Sequence, residues 1–415
     1  MCIRDSVFID GSEVSTKFRV FNDPRFIERL VLGKRYDEVP YITSRICGPC
    51  SVSHTITPLI AIEKAIGLEV SEDVDTMREL LVCGEIIENH VVHLYLLALP
   101  DYLGYRDSVE LSRKEPELLR GALKLRAASI ELVRSIVGRH VHPNSYKVGS
   151  MRHPSPGKVE SLERKLREVR HLAVKTAELF IGIEYPEMKL DKDCGVSVYK
   201  DDGYPVLGDR ILSSDEYLIA SSEYDDIIKE SAIEYSTSKV TFFDGKPFYV
   251  GSRARLNLYW KRMTEDAREY ASTLKFPLEN PYENIVAKGI EVLHFLDRAL
   301  DILSSIKGSS GKEVICPEYV VKGGEGVGTT EAPRGLLIHH YVIDEEGRVT
   351  YGNVITPTVM NAKHLEISSK VLVEKALEDG LKDEQIKFEL ERLARSYDPC
   401  LGCATHVIEV NIRRK

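Results

Sequence analysis

Apolar and polar positions along this chain change period several times, and each change marks an element. Through residues 7–20 they alternate one by one around Asp10-Gly11, which predicts a β-hairpin, because neighbouring side chains of a strand point to opposite faces. Ser71 with Glu72 and Asp73 then reads as a helix start, and the apolar repeat behind it runs toward Leu99 and stops at Pro100. Leu119, Ala122, Leu123, Ala127, Ile130, Val133 and Val137 predict one buried helical face ending near Gly138. Leu162, Leu166, Val169 and Leu172 begin a third long helix, and Leu293, Leu296, Leu300 and Leu303 mark a fourth that closes at Gly308.

Between these helices, residues 194–211 and 240–258 are rich in Tyr, Val, Gly and Asp and predict short strands and turns. Residues 342–349 carry a Glu345-Glu346-Gly347 turn, and Ile386, Leu390 and Leu393 place a last helix that Pro399 would stop. The expected fold is therefore α+β and predominantly α: a bundle of long helices with small peripheral β segments, forming one domain over residues 1–415.

Composition narrows the function classes. With 43% hydrophobic and 29% charged residues the chain can bury a core, and a net charge of -9 leaves no basic stripe for a nucleic acid. No run approaches the roughly eighteen apolar residues of a membrane span; the best, residues 91–100, contains His93. No secretory signal opens the chain, so the cytoplasm is the expected compartment. Eight cysteines are too few for a disulfide scaffold. Cys2, Cys83, Cys194 and Cys316 are scattered and read as small buried apolar residues.

The other four cysteines are paired. One motif is Arg45-Ile46-Cys47-Gly48-Pro49-Cys50, with His54 behind it; the other is Asp398-Pro399-Cys400-Leu401-Gly402-Cys403, with His406 behind it. Two thiolates three residues apart can face one ion, and two such pairs make a soft sulfur set that suits zinc, an iron-sulfur cluster or nickel. A zinc ribbon closes a short loop, whereas these pairs lie at opposite ends of the chain, each flanked by a charge and a histidine that a Cys₄ zinc would not need. A redox dithiol normally comes singly beside a βαβ unit. Spacing alone leaves these readings open.

R-x-C-G-x-C-x-x-x-H near the start with D-P-C-x-x-C-x-x-H at the end resembles the large subunit of nickel-iron hydrogenases. The resemblance continues through His93 to Asp101, His142-Pro143-Asn144, Val250 to Asn257, Gly326 to Gly335 and Ile355 to Asn361. It implies that Cys47 and Cys400 are terminal nickel ligands, and that Cys50 and Cys403 bridge nickel to an iron carrying two cyanides and one carbon monoxide. Arg334, beside Pro333 in the A-P-R-G stretch, would approach the metals and a cyanide. Asp101 and Asp398 would form a canopy around Arg334, Thr358 would bond the other cyanide, and His54 would bond a cysteine sulfur. Glu28 and His406 match positions that hold magnesium or a similar ion.

The resemblance further implies reversible hydrogen oxidation, electrons leaving through an iron-sulfur small subunit, and additional flavin or electron-transfer subunits of the cytosolic bidirectional branch. A strand bearing V-E-G-H, which supplies a proton-relay glutamate in the family, has no match here, and an N-terminal truncation is the expectation. Residues 407–415 extend past His406, where a maturation protease would cut. Three rivals remain in view: the related quinone-reactive subunit of respiratory complex I, which lacks both cysteine pairs; a hydrogen sensor; and a zinc-stabilised interaction protein.

Overall fold

The computed structural model describes residues 3–10, 13–19, 25–190, 193–308, 313–314, 318–399 and 408–414. Its principal helices are α1 (Arg25–Val31), α2 (Ser53–Ala65), α3 (Glu72–Val92), α4 (Pro116–Val137), α5 (Pro156–Ile181), α6 (Ser252–Tyr259), α7 (Asn284–Ser305), α8 (Pro357–Glu378) and α9 (Asp383–Ser396). Helices α3, α4, α5 and α7 pack into the expected bundle. Leu293, Leu296, Leu300 and Leu303 all point into it from α7, each contributing about 1.5–3 kcal/mol through burial.

Three helical expectations change. Helix α3 does not stop at Pro100: a widened π turn, His93–Ala98, closed by Leu99 N–H on Leu94 O, leads into Leu99–Leu103, and Gly104 at φ 71° ends it. The wider turn restarts the ladder at Leu99, so Pro100 falls in a first turn, where its missing N–H costs little. Most of this long apolar helix is buried within the protein.

The buried face of α4 only partly follows the apolar repeat. Ala122, Val133 and Val137 face inward as expected, together with Leu125, Ser129, Leu132 and Ile136, while Leu123 is 48% exposed. At Gly84 of α3 a Cβ would meet Val133 Cγ2 at 2.7 Å and Leu132 Cδ2 at 3.3 Å, so only glycine lets α4 approach so closely. Finally, the end of the 240–258 segment, expected as strand and turn, forms helix α6, in which Arg253 and Arg255 are buried and ion-paired.

The strands needed here are β1 (Ile3–Asp10), β2 (Glu13–Arg19), β3 (Val196–Tyr199), β4 (Arg210–Ser213), β5 (Gly324–Ala332), β6 (Gly335–Ile343), β7 (Val349–Ile355) and β8 (Ile408–Arg414). The hairpin β1–β2 closes as expected with Ile9 opposite Val14, and β8 adds to it parallel to β1, Val7 opposite Ile412. The largest sheet runs β7-β6-β5, then the short strand Leu207–Gly208, and it is buried along most of β5 and β6.

Strand β5 lies directly on α2 because Gly324, Gly326 and Gly328 present no side chains to it. A Cβ on each would meet Ala65 O at 2.2 Å, Ala61 O at 2.1 Å and Thr57 O at 2.2 Å, respectively. Two strand residues advance about 6.7 Å and four helix residues about 6 Å, so glycines at every second position match helix residues at every fourth. This contact sets the helix behind the first cysteine pair against the strand that leads to Arg334.

Candidate metal centre

Cys47 and Cys50 lie in the turns before α2, 2% and 4% exposed and not joined in a disulfide. Ser51 N–H bonds Gly48 O at 3.3 Å and His54 N–H bonds Cys50 O at 3.0 Å, which curls the segment into the helix. Helix α3 holds it from outside. Glu85 accepts Val52 N–H at 2.7 Å, Ser53 N–H at 3.0 Å and the Ser53 hydroxyl, while Asn89 Nδ2 donates to Pro49 O at 2.7 Å.

Burial pushes the Glu85 carboxyl up to about 8 against the pull of these donors. A carboxyl raised on folding stays protonated in the native state after it ionises in the unfolded chain. Stability should therefore fall as pH rises from about 4.5 toward 8, by a few kcal/mol at most. Denaturant unfolding across this range should show the slope in the wild type and a flatter one in Glu85→Gln; parallel curves would rule out Glu85 as the source.

Arg334 sits in the turn between β5 and β6. Gly335 (φ 128°) follows it, and a Cβ there would lie 2.6 Å from Gly251 N, so the turn packs backbone to backbone against the start of α6. The guanidinium is 8% exposed, and its three nitrogens are aimed separately. Nη1 donates to Cys50 Sγ at 2.8 Å and to Asn89 Oδ1 at 3.3 Å, Nε donates to Asp398 O at 2.9 Å, and Nη2 is 3.2 Å from Asp398 Oδ1. Asp398 follows α9 with φ 46° and is ion-paired through Oδ2 to the buried Lys288 of α7. Burial alone would raise its pKa, but the charges of Arg334 and Lys288 outweigh that and hold it well below the carboxylate range.

Asp101 takes a different place from the one expected. Its carboxylate is salt-bridged to Arg395 at 2.6 Å, and His93 Nε2 lies 2.7 Å from Arg395 O. Burial keeps His93 neutral, lowering it to about 3. Among the described residues the charged partners of the Arg334–Asp398 pair thus include Lys288, while Asp101 pairs with Arg395 at the end of α9. His54 Nδ1 meets His339 Nε2 at 3.1 Å, and His339 Nδ1 meets the Tyr341 hydroxyl at 2.7 Å.

Pro333 and Thr358 are buried, one beside Arg334 in the same turn and the other in the first turn of α8. Glu28, on α1, accepts Val354 N–H at 2.9 Å. Cys400, Cys403 and His406 lie outside the described residues, as do Cys2 and Cys316. Cys83 and Cys194 are buried as expected of isolated cysteines, their thiols pushed up by desolvation.

Sequence reasoning missed Glu85, Asn89 and Lys288. None belongs to a recognisable metal motif, and their partners lie 33, 40 and 110 residues away. Arg255 stood inside a family-like stretch without a role. It joins Glu291 of α7 to Glu331 of β5, all three 0% exposed.

Among the described residues no three metal-ligating side chains converge; two of the four expected thiolates lie outside them. What is described fits a metal group of negative charge. Buried Cys50 faces the Arg334 guanidinium, with buried Cys47 three residues before it, and Arg334 and Lys288 together exceed the single charge of Asp398.

The model of the nickel-dependent hydrogenase family matches residues 25–120 and 187–406, leaving out most of α4 and α5. Sulfhydrogenase 1 subunit alpha of Pyrococcus furiosus is 34% identical over 407 residues, covering 97% of this chain and 94% of that protein. Sulfhydrogenase 2 subunit alpha of the same organism is also 34% identical, covering 97% and 96%. Among solved structures, the NAD+-reducing [NiFe]-hydrogenase in the H2-reduced state superposes with a TM-score of 0.84 at 24% identity, covering 95% of this chain and 94% of that one.

Proposed function

Because the chain belongs to the nickel-dependent hydrogenase family, we propose that the pocket beneath Arg334 is where it splits hydrogen. The chain is the catalytic subunit of a nickel-iron hydrogenase, an oxidoreductase acting on hydrogen. Its relatives are alpha subunits of multi-subunit enzymes, which implies a small-subunit partner. The observation that carries the site assignment is Arg334 Nη1 at 2.8 Å from Cys50 Sγ, with the other two arms of the same guanidinium fixed on Asp398.

In this reading Cys47, Cys50, Cys400 and Cys403 hold nickel and iron. Bound metals supply the Lewis-acid and redox chemistry that converts hydrogen into two protons and two electrons. Arg334 keeps a fixed positive charge beside Cys50 Sγ in a buried setting, and Asp398 orients it. Pro333 and Thr358 would help to hold the group's cyanide ligands. Glu28 and His406 would bind magnesium. The partner would carry the iron-sulfur relay, with flavin or other electron-transfer subunits beyond it. We also place the enzyme in the cytoplasm, read the chain as one domain, and assign the residues after His406 to a maturation protease.

The test is infrared spectroscopy with metal analysis on protein matured together with its small subunit. Nickel and iron in equal amounts with cyanide and carbon monoxide bands are expected, and Cys50→Ser should lose both metals and bands. Zinc alone in the wild type would refute the assignment.

A further inference from the structure

The resemblance leads one to expect two aspartates around one arginine, a canopy of net negative charge. Among the described residues the sign is the opposite: one aspartate lies between two cations. Lys288 reaches Asp398 Oδ2 from the middle of α7, Arg334 reaches Oδ1 at 3.2 Å and the Asp398 carbonyl at 2.9 Å, and the Lys288 and Asp398 side chains are 1% and 2% exposed. Asp101, the second expected carboxylate, is occupied by Arg395.

We propose that Lys288 is a positioning residue for hydrogen splitting, fixing Asp398 so that Arg334 points at Cys50 and giving the pocket wall a net positive charge. The proposal rests on the reading that this pocket holds nickel and iron.

Three observations carry it. Asp398 is a non-glycine residue at φ 46°, a conformation that surrounding contacts must hold, and Lys288 supplies one of them. Lys288 is 1% exposed and its ammonium meets Asp398 rather than solvent, so its charge is felt by the carboxylate that holds Arg334. The groups facing it do not cancel that charge: His93 is neutral, and Glu291, one turn along α7, is taken by Arg255, His90, Ser252 and Tyr204. A positive wall matches thiolates and cyanides, whose charges exceed those of the two metals.

The test compares Lys288→Met, Lys288→Gln and Lys288→Arg in the matured enzyme with its small subunit. It reads nickel and iron per chain, the cyanide and carbon monoxide stretching frequencies, and kcat against KM for hydrogen. Lys288→Met and Lys288→Gln should keep their metals but show shifted cyanide bands, with kcat lowered at least about tenfold and KM changed far less. Lys288→Arg should restore wild-type bands and most of the rate. If neither neutral variant loads metal while Lys288→Arg does, the requirement for a cation is equally supported. Wild-type bands and kcat in metal-loaded Lys288→Met or Lys288→Gln would overturn the proposal, as would an Arg variant no better than Met. A wild type without cyanide bands would overturn the metal reading itself, whatever the variants do.

Discussion

Arg334→Lys is expected to lower hydrogen oxidation per bound nickel by about a hundredfold or more, with metal content and thermal stability close to the wild type. The reason lies in how the guanidinium is used. Its Nη1, Nε and Nη2 atoms each serve a different acceptor: Cys50 Sγ, the Asp398 carbonyl and the Asp398 carboxylate. A lysine keeps the charge but offers one compact ammonium that cannot span these three directions, so it can pair with Asp398 or sit beside Cys50, not both. Hydrogen uptake with an artificial electron acceptor, normalised to nickel, measures the effect. Activity within about threefold of wild type would mean that charge alone suffices and that orientation plays no part.

Arg255→Met should cost about 3–5 kcal/mol of stability, because it strands two buried carboxylates. Arg255 Nε and Nη2 bind Glu291 at 2.6 and 2.7 Å, and Nη1 binds Glu331 at 2.7 Å. Burial raises Glu331 despite this pairing, whereas in Glu291 the arginine outweighs burial and holds the carboxyl well below its ordinary range. Denaturant unfolding reads the loss. Arg255→Met combined with Glu291→Gln and Glu331→Gln should recover much of it, since the unpaired charges are then gone. A single substitution costing under about 1 kcal/mol would show that water or local rearrangement already satisfies the two carboxylates. The network also ties α6, α7 and β5 together three residues before Arg334, so activity should fall along with stability.

Much of the architecture was legible in the sequence where the signal is local. The alternation around Asp10-Gly11 foretold the β1–β2 hairpin, and the leucine repeats of α5 and α7 and the apolar residues of α9 marked helices that exist. Local pattern failed where a neighbour decides. The apolar face of α4 was only partly right: Ala122, Val133 and Val137 are buried but Leu123 faces out, and the close approach at Gly84, on another helix, seats Leu132 beside Val133. Helix α6 was read as strand and turn because residues 240–258 are rich in Tyr, Val, Gly and Asp, whereas its arginines are held by Asp193, Glu291 and Glu331 from other parts of the chain. The alternating glycines of β5 were visible, but their purpose was not, since it depends on α2 lying against them.

By itself the sequence determined the chemistry available: paired thiols at both ends, Arg334 in its Pro-Arg-Gly turn and Asp398 ahead of the second pair. Short motifs carry that information because residues a few positions apart have nearly fixed relative reach. Only the tertiary structure decided which charges meet. Lys288 and Asp398 are 110 residues apart, and Arg334 and Cys50 are 284 apart. At such separations spacing no longer constrains distance; the packing of α7 and the β5–β6 turn does, and it sets the sign of the charge around the site.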